Sequence, residues 1–175
     1  MVKKLFIMSV IMFMVLAAAA CSNATRNQVG NVVSSVAQLI KGDVTGELGK
    51  TYATQWFEFT VDYIAPVDEY AGYKPDDGNR LVDVFIKEKG TFDEPSPMGT
   101  FDFYLESSLF DDYIYPMDPI DDSMMPLEFM LEKGQTVEYH MIYEIPASVP
   151  DVRLMYTELD EDEKEGATFT IPYVL

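Results

Sequence analysis

Cysteine, histidine and tryptophan each occur once in this 175-residue chain, and cationic side chains are few. Each scarcity removes a class of protein. With Cys21 as the sole thiol no internal disulfide can form, so the fold must be held by packing alone, unlike small cross-linked secreted scaffolds. A zinc site built from thiolates and imidazoles lacks its ligands. His140 falls on the polar side of a predicted strand and reads as an exposed strand residue. No serine stands in a G-x-S-x-G nucleophile elbow that would offer it a hydroxyl to activate. The 12 Lys and Arg are set against 30 Asp and Glu, a formal charge of −18. Such a surface cannot displace counterions from phosphates, which excludes nucleic acid as a partner, and it repels anionic lipid heads and anionic wall polymers. The acidity fits a domain kept soluble and clear of a membrane surface.

Long apolar runs are also missing, with one exception. After Met1-Val2-Lys3-Lys4 comes an uncharged stretch from Leu5 to Ala20. Two cations ahead of such a run are the n-region and h-region of a signal peptide, and the run is shorter than the ~20 apolar residues of a membrane-spanning helix. Ala18, Ala19 and Ala20 precede Cys21, and the segment Leu16 to Cys21 resembles the lipobox of bacterial lipoproteins. The resemblance implies cleavage before Cys21 and lipidation of its sulfur. Two or more acyl chains on one residue make a stable membrane anchor where a single chain does not. A thiol so modified is unavailable for catalysis. The expected organisation is a signal peptide over 1–20, a lipidated tether over 21–45 and one domain over 46–175.

The tether is rich in Ser, Asn, Thr and Gly. Within it Val29, Val32, Val33, Val36, Leu39 and Ile40 share a helical face before Gly42, which reads as a short amphipathic helix or a loosely ordered linker. From Gln55 onward the period becomes two. Phe57, Phe59, Val61 and Tyr63 alternate with polar residues up to Pro66. Val82, Val84 and Ile86 repeat the pattern against Asp83 and Lys87, as do Phe101, Phe103 and Leu105. Val137, Tyr139, Met141, Tyr143 and Ile145 give the clearest alternation. Further strands are expected at 127–131, 152–157 and 167–173, the last two flanking the acidic run Asp160 to Glu165 at a hairpin tip. With 48% apolar and 13% aromatic residues a core can form. About seven strands, each with one apolar face, predict an all-β, immunoglobulin-like β-sandwich.

The order of these pieces resembles bacterial lipoproteins that carry an immunoglobulin-like domain of unknown function, related in fold to the mycobacterial immunoprotective extracellular antigen. Three places carry the likeness: Gly46-Glu47-Leu48-Gly49 before a strand ending Phe59-Thr60-Val61; the strand Val82-Asp83-Val84-Phe85-Ile86-Lys87; and Leu131-Glu132-Lys133-Gly134-Gln135 leading to Tyr143-Glu144-Ile145-Pro146. Glu88-Lys89-Gly90 stands where many members have an asparagine. The family has no agreed catalytic residues, so the resemblance implies a fold and a location, and no active site.

Three sets of residues remain as candidates for function. Asp111, Asp112, Asp118, Asp121 and Asp122 share the proline-rich loop from Phe110 to Pro126, and hard cations such as Ca²⁺ take carboxylate oxygens. The EF-hand register is absent at Asp160, where Lys164 occupies a ligand position and Ile171 replaces the bidentate glutamate. Thirty acidic residues also allow carboxylate pairs of the glycan-hydrolysing type, but no spacing selects one pair. Tyr70, Tyr73, Tyr113 and Tyr115 lie in loops, where tyrosines either form contact surfaces or cover sheet edges. The expectation is a non-catalytic module with no cofactor and no assigned metal site, held to the extracytoplasmic face of a membrane through Cys21 and binding a protein or cell-envelope ligand. A Ca²⁺-dependent module and a carboxylate hydrolase are the alternatives.

Overall fold

The computed structural model describes residues 42–109, 112–159 and 164–175, all within the compact unit Ala37–Leu175. The signal segment, Cys21 and the Val29–Ile40 stretch lie outside the described residues, as do Asp111 and 160–163 of the acidic run. Ten strands are described: β1 (Val44–Thr45), β2 (Thr51–Ala53), β3 (Phe57–Val67), β4 (Asn79–Gly90), β5 (Ser96–Met98), β6 (Phe103–Glu106), β7 (Phe129–Leu131), β8 (Thr136–Pro146), β9 (Asp151–Leu159) and β10 (Glu165–Val174). They form a sheet of order β1-β10-β9-β6, a second of order β2-β3-β4-β8, and a small β5-β7 pair. The protein is a β-sandwich. The strands beyond the seven expected are pieces of two or three residues, such as β1, β2 and β5, too short for a period of two to register.

The inner faces of the two large sheets supply one core. Phe57, Phe59, Val61 and Ile64 of β3, Val82, Val84 and Ile86 of β4, and Met141, Tyr143 and Ile145 of β8 meet Phe103, Leu105, Leu154, Tyr156, Phe169 and Ile171. Phe59 is its aromatic hub, with ring centroids 5.6 Å from Phe103, 5.5 Å from Phe169 and 5.9 Å from Tyr156. Burying side chains of this size contributes about 1.5–3 kcal/mol each. The Tyr143 hydroxyl keeps a partner inside the core, donating to the Phe103 carbonyl at 3.4 Å.

Three expectations fail locally. Pro66 does not close β3: it pairs with Val82, and the strand continues to Val67. β2 reaches only as far as Thr60 along β3, so the proline lies where that edge has no neighbouring strand and its missing N–H costs no ladder bond. Secondly, Tyr63 leaves the face it shares by spacing with Val61. Val61 pairs with Ile86 and Tyr63 with Phe85, so Asp62 is an extra residue. The bulge turns Tyr63 outward and Ile64 into the core. Thirdly, Phe101 belongs to a 3-10 turn, Thr100–Asp102, and points away from the strand face of Phe103 and Leu105.

The segment 112–126 is irregular, as its prolines and aspartates predict, and it covers β8. Met117 N–H donates to Ile142 O at 2.8 Å, Met125 N–H to His140 O at 2.9 Å, and His140 N–H to Ser123 O at 2.9 Å. These bonds occupy the open edge of β8. Met117 and Met124, with Tyr70 and Tyr73, pack over Leu81 and Ile142, which are buried although they face outward from the sandwich.

Candidate functional site

Exposed aromatic rings gather at one place, and backbone pairing puts them there. Leu105 and Ile114 exchange N–H···O bonds of 2.8 and 3.0 Å, which joins the loop to the edge of β6. Alternation then turns Ile114 toward the core and carries Tyr113 and Tyr115 outward beside Tyr104. The rings form a continuous ladder: Tyr113 to Tyr104 at 4.5 Å, Tyr104 to Tyr115 at 6.0 Å, and Tyr115 to Phe101 at 5.7 Å. Phe101 and Tyr113 are each 54% exposed and Tyr115 45%, so the ladder is a surface and not a core extension. The Tyr104 hydroxyl is held by Thr157 Oγ1 at 3.1 Å. Burial and the charge of Glu106 among its neighbours raise the Tyr104 pKa, so the phenol stays neutral.

Two clefts share the segment 97–102 as a wall, and Phe101 joins the ladder to one of them. One, of about 600 Å³, is lined by Phe101, Leu127, Phe129 and Met130 with Asp102 and Glu128. The other, of about 530 Å³, is lined by Trp56 and Phe92 together with Pro95, Pro97, Asp102 and Tyr156. Both volumes fall within the range of ligand clefts. Trp56 and Phe92 meet edge to face at 4.8 Å, and Trp56 Nε1 donates to Leu159 O at 3.1 Å. The N–H groups of Thr91 and Phe92 both donate to Trp56 O, at 3.3 and 3.1 Å.

Carboxyl groups concentrate behind this second cleft. Glu88 occupies the core face of β4 two residues after Ile86, is 1% exposed, and neither of its carboxyl oxygens has a hydrogen-bond partner. Burial, reinforced by the Asp102 charge, pushes its pKa up to about 8. Asp102 is also raised by burial, an effect opposed by the Gly99 N–H, which donates to its Oδ2 at 2.7 Å. Glu158 is buried and accepts from Gln55 N–H at 2.7 Å. Tyr156 is held neutral by burial and by the charges of Asp102, Glu158 and Glu88.

The remaining sequence candidates fall elsewhere. His140 is half-buried rather than exposed: its Nδ1 lies 2.9 Å from Asp83 Oδ1, and its ring packs on Phe85 at 5.0 Å and on Tyr70 at 5.5 Å. Among the described residues no serine hydroxyl bonds to it; Ser123 Oγ instead bonds Asp121 Oδ1 and Tyr70. Tyr73 donates to Glu144 Oε2 at 2.6 Å. Tyr70 and Tyr73 therefore cover a sheet, whereas Tyr113 and Tyr115 form a surface. No three His, Cys, Asp or Glu side chains among the described residues are placed to hold a metal ion, the loop residues Asp112, Asp118, Asp121 and Asp122 included. Sequence spacing missed Trp56, Phe92 and Phe101. It missed Glu88 too, although a glutamate continuing the series Val82, Val84, Ile86 was a legible anomaly.

No family model and no curated protein matches the sequence. Solved structures do. The chain is similar to ycdA, a candidate lipoprotein of Bacillus subtilis subsp. subtilis str. 168, at 16% identity and a TM-score of 0.57 over 71% of this chain and 38% of that one. It is similar to MPT63, a secreted protein of Mycobacterium tuberculosis, at 9% identity and a TM-score of 0.52 over 74% of this chain and 98% of that one. A functionally unknown protein of Listeria monocytogenes EGD-e gives 8% identity and a TM-score of 0.55 over 71% and 81%. These likenesses show the fold. The chain spans less than two fifths of ycdA, so nothing of that longer protein's role passes to it with the fold.

Proposed function

We propose that this protein is an extracytoplasmic lipoprotein, anchored through Cys21, whose β-sandwich binds a partner at the cell envelope and performs no chemistry. The observation that carries the reading is the ladder Phe101–Tyr115–Tyr104–Tyr113. Four adjoining rings, three of them exposed and Tyr104 half-buried, bordered by an apolar cleft, make a contact surface, because aromatic side chains offer large rigid area at little entropic cost. Glu106 beside Tyr104 is paired with Arg153 at 3.1 Å, whereas the adjoining cleft carries the carboxyl groups of Asp102 and Glu128, so that end of the surface suits a partner carrying positive charge. The N-terminal segment and the likeness to secreted and candidate lipoprotein structures support the location. Among the described residues no serine hydroxyl bonds to His140, whose Nδ1 is taken by Asp83, and this supports a binding role over a serine-hydrolase one.

The test replaces Phe101, Tyr104, Tyr113 and Tyr115 together with Ser in the full chain and compares what each protein retains from detergent-solubilised envelope. The core rings Phe59, Phe103 and Tyr156 are untouched, so the β circular-dichroism spectrum should persist. Components retained by the parent should be lost by the variant. Equal retention by both proteins would remove the ladder as the binding surface.

A further inference from the structure

The cleft lined by Trp56 and Phe92 has a property that the aromatic ladder lacks. Three aromatic rings line it, and among the described residues its only charged lining groups are carboxylates, Asp102 and Glu94, with no lysine, arginine or histidine. Glu88, fully buried with both oxygens unpartnered, is near enough for its charge to be felt at Asp102 and Tyr156, which line the same cleft. A buried carboxyl group without a partner is a standing cost unless something outside the chain supplies one.

We infer that this cleft binds an organic cation, a guanidinium, amidinium or ammonium group on an apolar stem, with the charge directed at Asp102 and the stem lying against the packed Trp56–Phe92 pair. A bare metal ion is a poor fit, since no three ligating side chains converge among the described residues. A planar cation suits the site on two counts: it stacks on aromatic faces and donates to carboxylates. The inference is independent of the ladder, because none of Tyr104, Tyr113 and Tyr115 lines this cleft.

Binding should also be linked to protons. The titratable groups around Glu88 are Asp102 from the 3-10 turn, Tyr139 of β8 and Tyr156 of β9, with Glu158 beyond Tyr156; all are acidic. With its pKa at about 8, Glu88 is largely protonated at neutral pH. A cation entering the cleft favours the ionised form and expels the proton, so affinity rises with pH until Glu88 is ionised in the free protein as well.

Trp56 is the single tryptophan of the chain, so its fluorescence reports on this cleft alone. The full chain is titrated with benzamidinium and with the neutral isostere benzamide at pH 6 and pH 9. The expected result is a saturable change with benzamidinium, about tenfold tighter at pH 9, and none with benzamide. Asp102→Asn, which keeps an oxygen for the Gly99 N–H, should weaken binding at least tenfold. Glu88→Gln should abolish the pH dependence. The source of the cation is read by a second arm, an arginine in a Gly-Ser hexapeptide: binding of both probes assigns the cleft to an arginine or lysine side chain of a partner, and binding of benzamidinium alone to a free small cation. Failure of both probes, equal binding of benzamide, or unchanged affinity in Asp102→Asn overturns the inference. The four-ring Ser variant should bind benzamidinium as the parent does, so loss of the ladder's partner and loss of the cation site are separate outcomes.

Discussion

His140 and Asp83 are bonded across neighbouring strands, Nδ1 to Oδ1 at 2.9 Å, and Tyr63 donates to the other oxygen of the same carboxylate at 2.8 Å. β8 brings the histidine, β4 the aspartate and β3 the tyrosine, and the bulge at Asp62 is what turns Tyr63 to that side. Asp83 is buried, and these two partners satisfy its two oxygens. The arrangement joins three strands of one sheet beneath the loop that carries Ser123, and its role is structural.

Asp83→Ala should therefore cost about 2 kcal/mol by leaving His140 and Tyr63 without their shared acceptor. Tyr63→Phe, which removes one hydroxyl that water can partly replace, should cost about 1 kcal/mol or less. Urea unfolding monitored by circular dichroism checks both, and an Asp83→Ala protein as stable as the parent would contradict the assignment.

Glu88 should make the fold pH-sensitive in a definite direction. Its folded pKa, about 8, lies above the usual carboxylate value of 4.5 that applies when the chain is unfolded. Between these values the folded state holds a proton that the unfolded state has lost, so stability falls as pH rises from about 4.5 to 8 and then levels off. The penalty is on the order of a few kcal/mol. Glu88→Gln should remove it, with little change in melting temperature at pH 5 and a clear gain at pH 9. Parallel pH profiles for the two proteins would show that Glu88 is not held neutral by burial.

Gly99 has no room for a side chain, because a Cβ there would collide with the Leu127 carbonyl. Its own N–H is the donor that holds Asp102. Gly99→Ala should destabilise the protein by about 2 kcal/mol, as overpacking against backbone does, and lower Tm by several degrees. Gly49→Ala is a useful contrast: its Cβ would meet nothing, and its cost comes only from a φ of +73°. An unaffected Tm in Gly99→Ala would mean that the 127–128 backbone yields freely.

Cys21→Ala should abolish incorporation of labelled fatty acid and release the protein from the membrane fraction, because two or more acyl chains supply the anchor. Retention of label and membrane association by the variant would overturn the lipoprotein reading.

The residue pattern alone determined that the protein is all-β, since period-two alternation in Phe57–Val61, Val82–Ile86 and Val137–Ile145 leaves each strand one apolar face that only a second sheet can cover. The single cysteine excluded internal disulfides without reference to any fold. The tertiary structure decided what spacing cannot express. One extra residue at Asp62 reverses every later side chain of β3, which is why Tyr63 meets Asp83 and His140 instead of the core. His140 and Ile142 are polar-face positions by alternation, yet a loop that reads only as irregular is bonded to their strand and covers them. The ladder joins Phe101 and Tyr104 to Tyr113, and the second cleft joins Trp56, Phe92 and Tyr156. Their convergence depends on pairing between residues distant in the chain, so only the folded sheets bring them together.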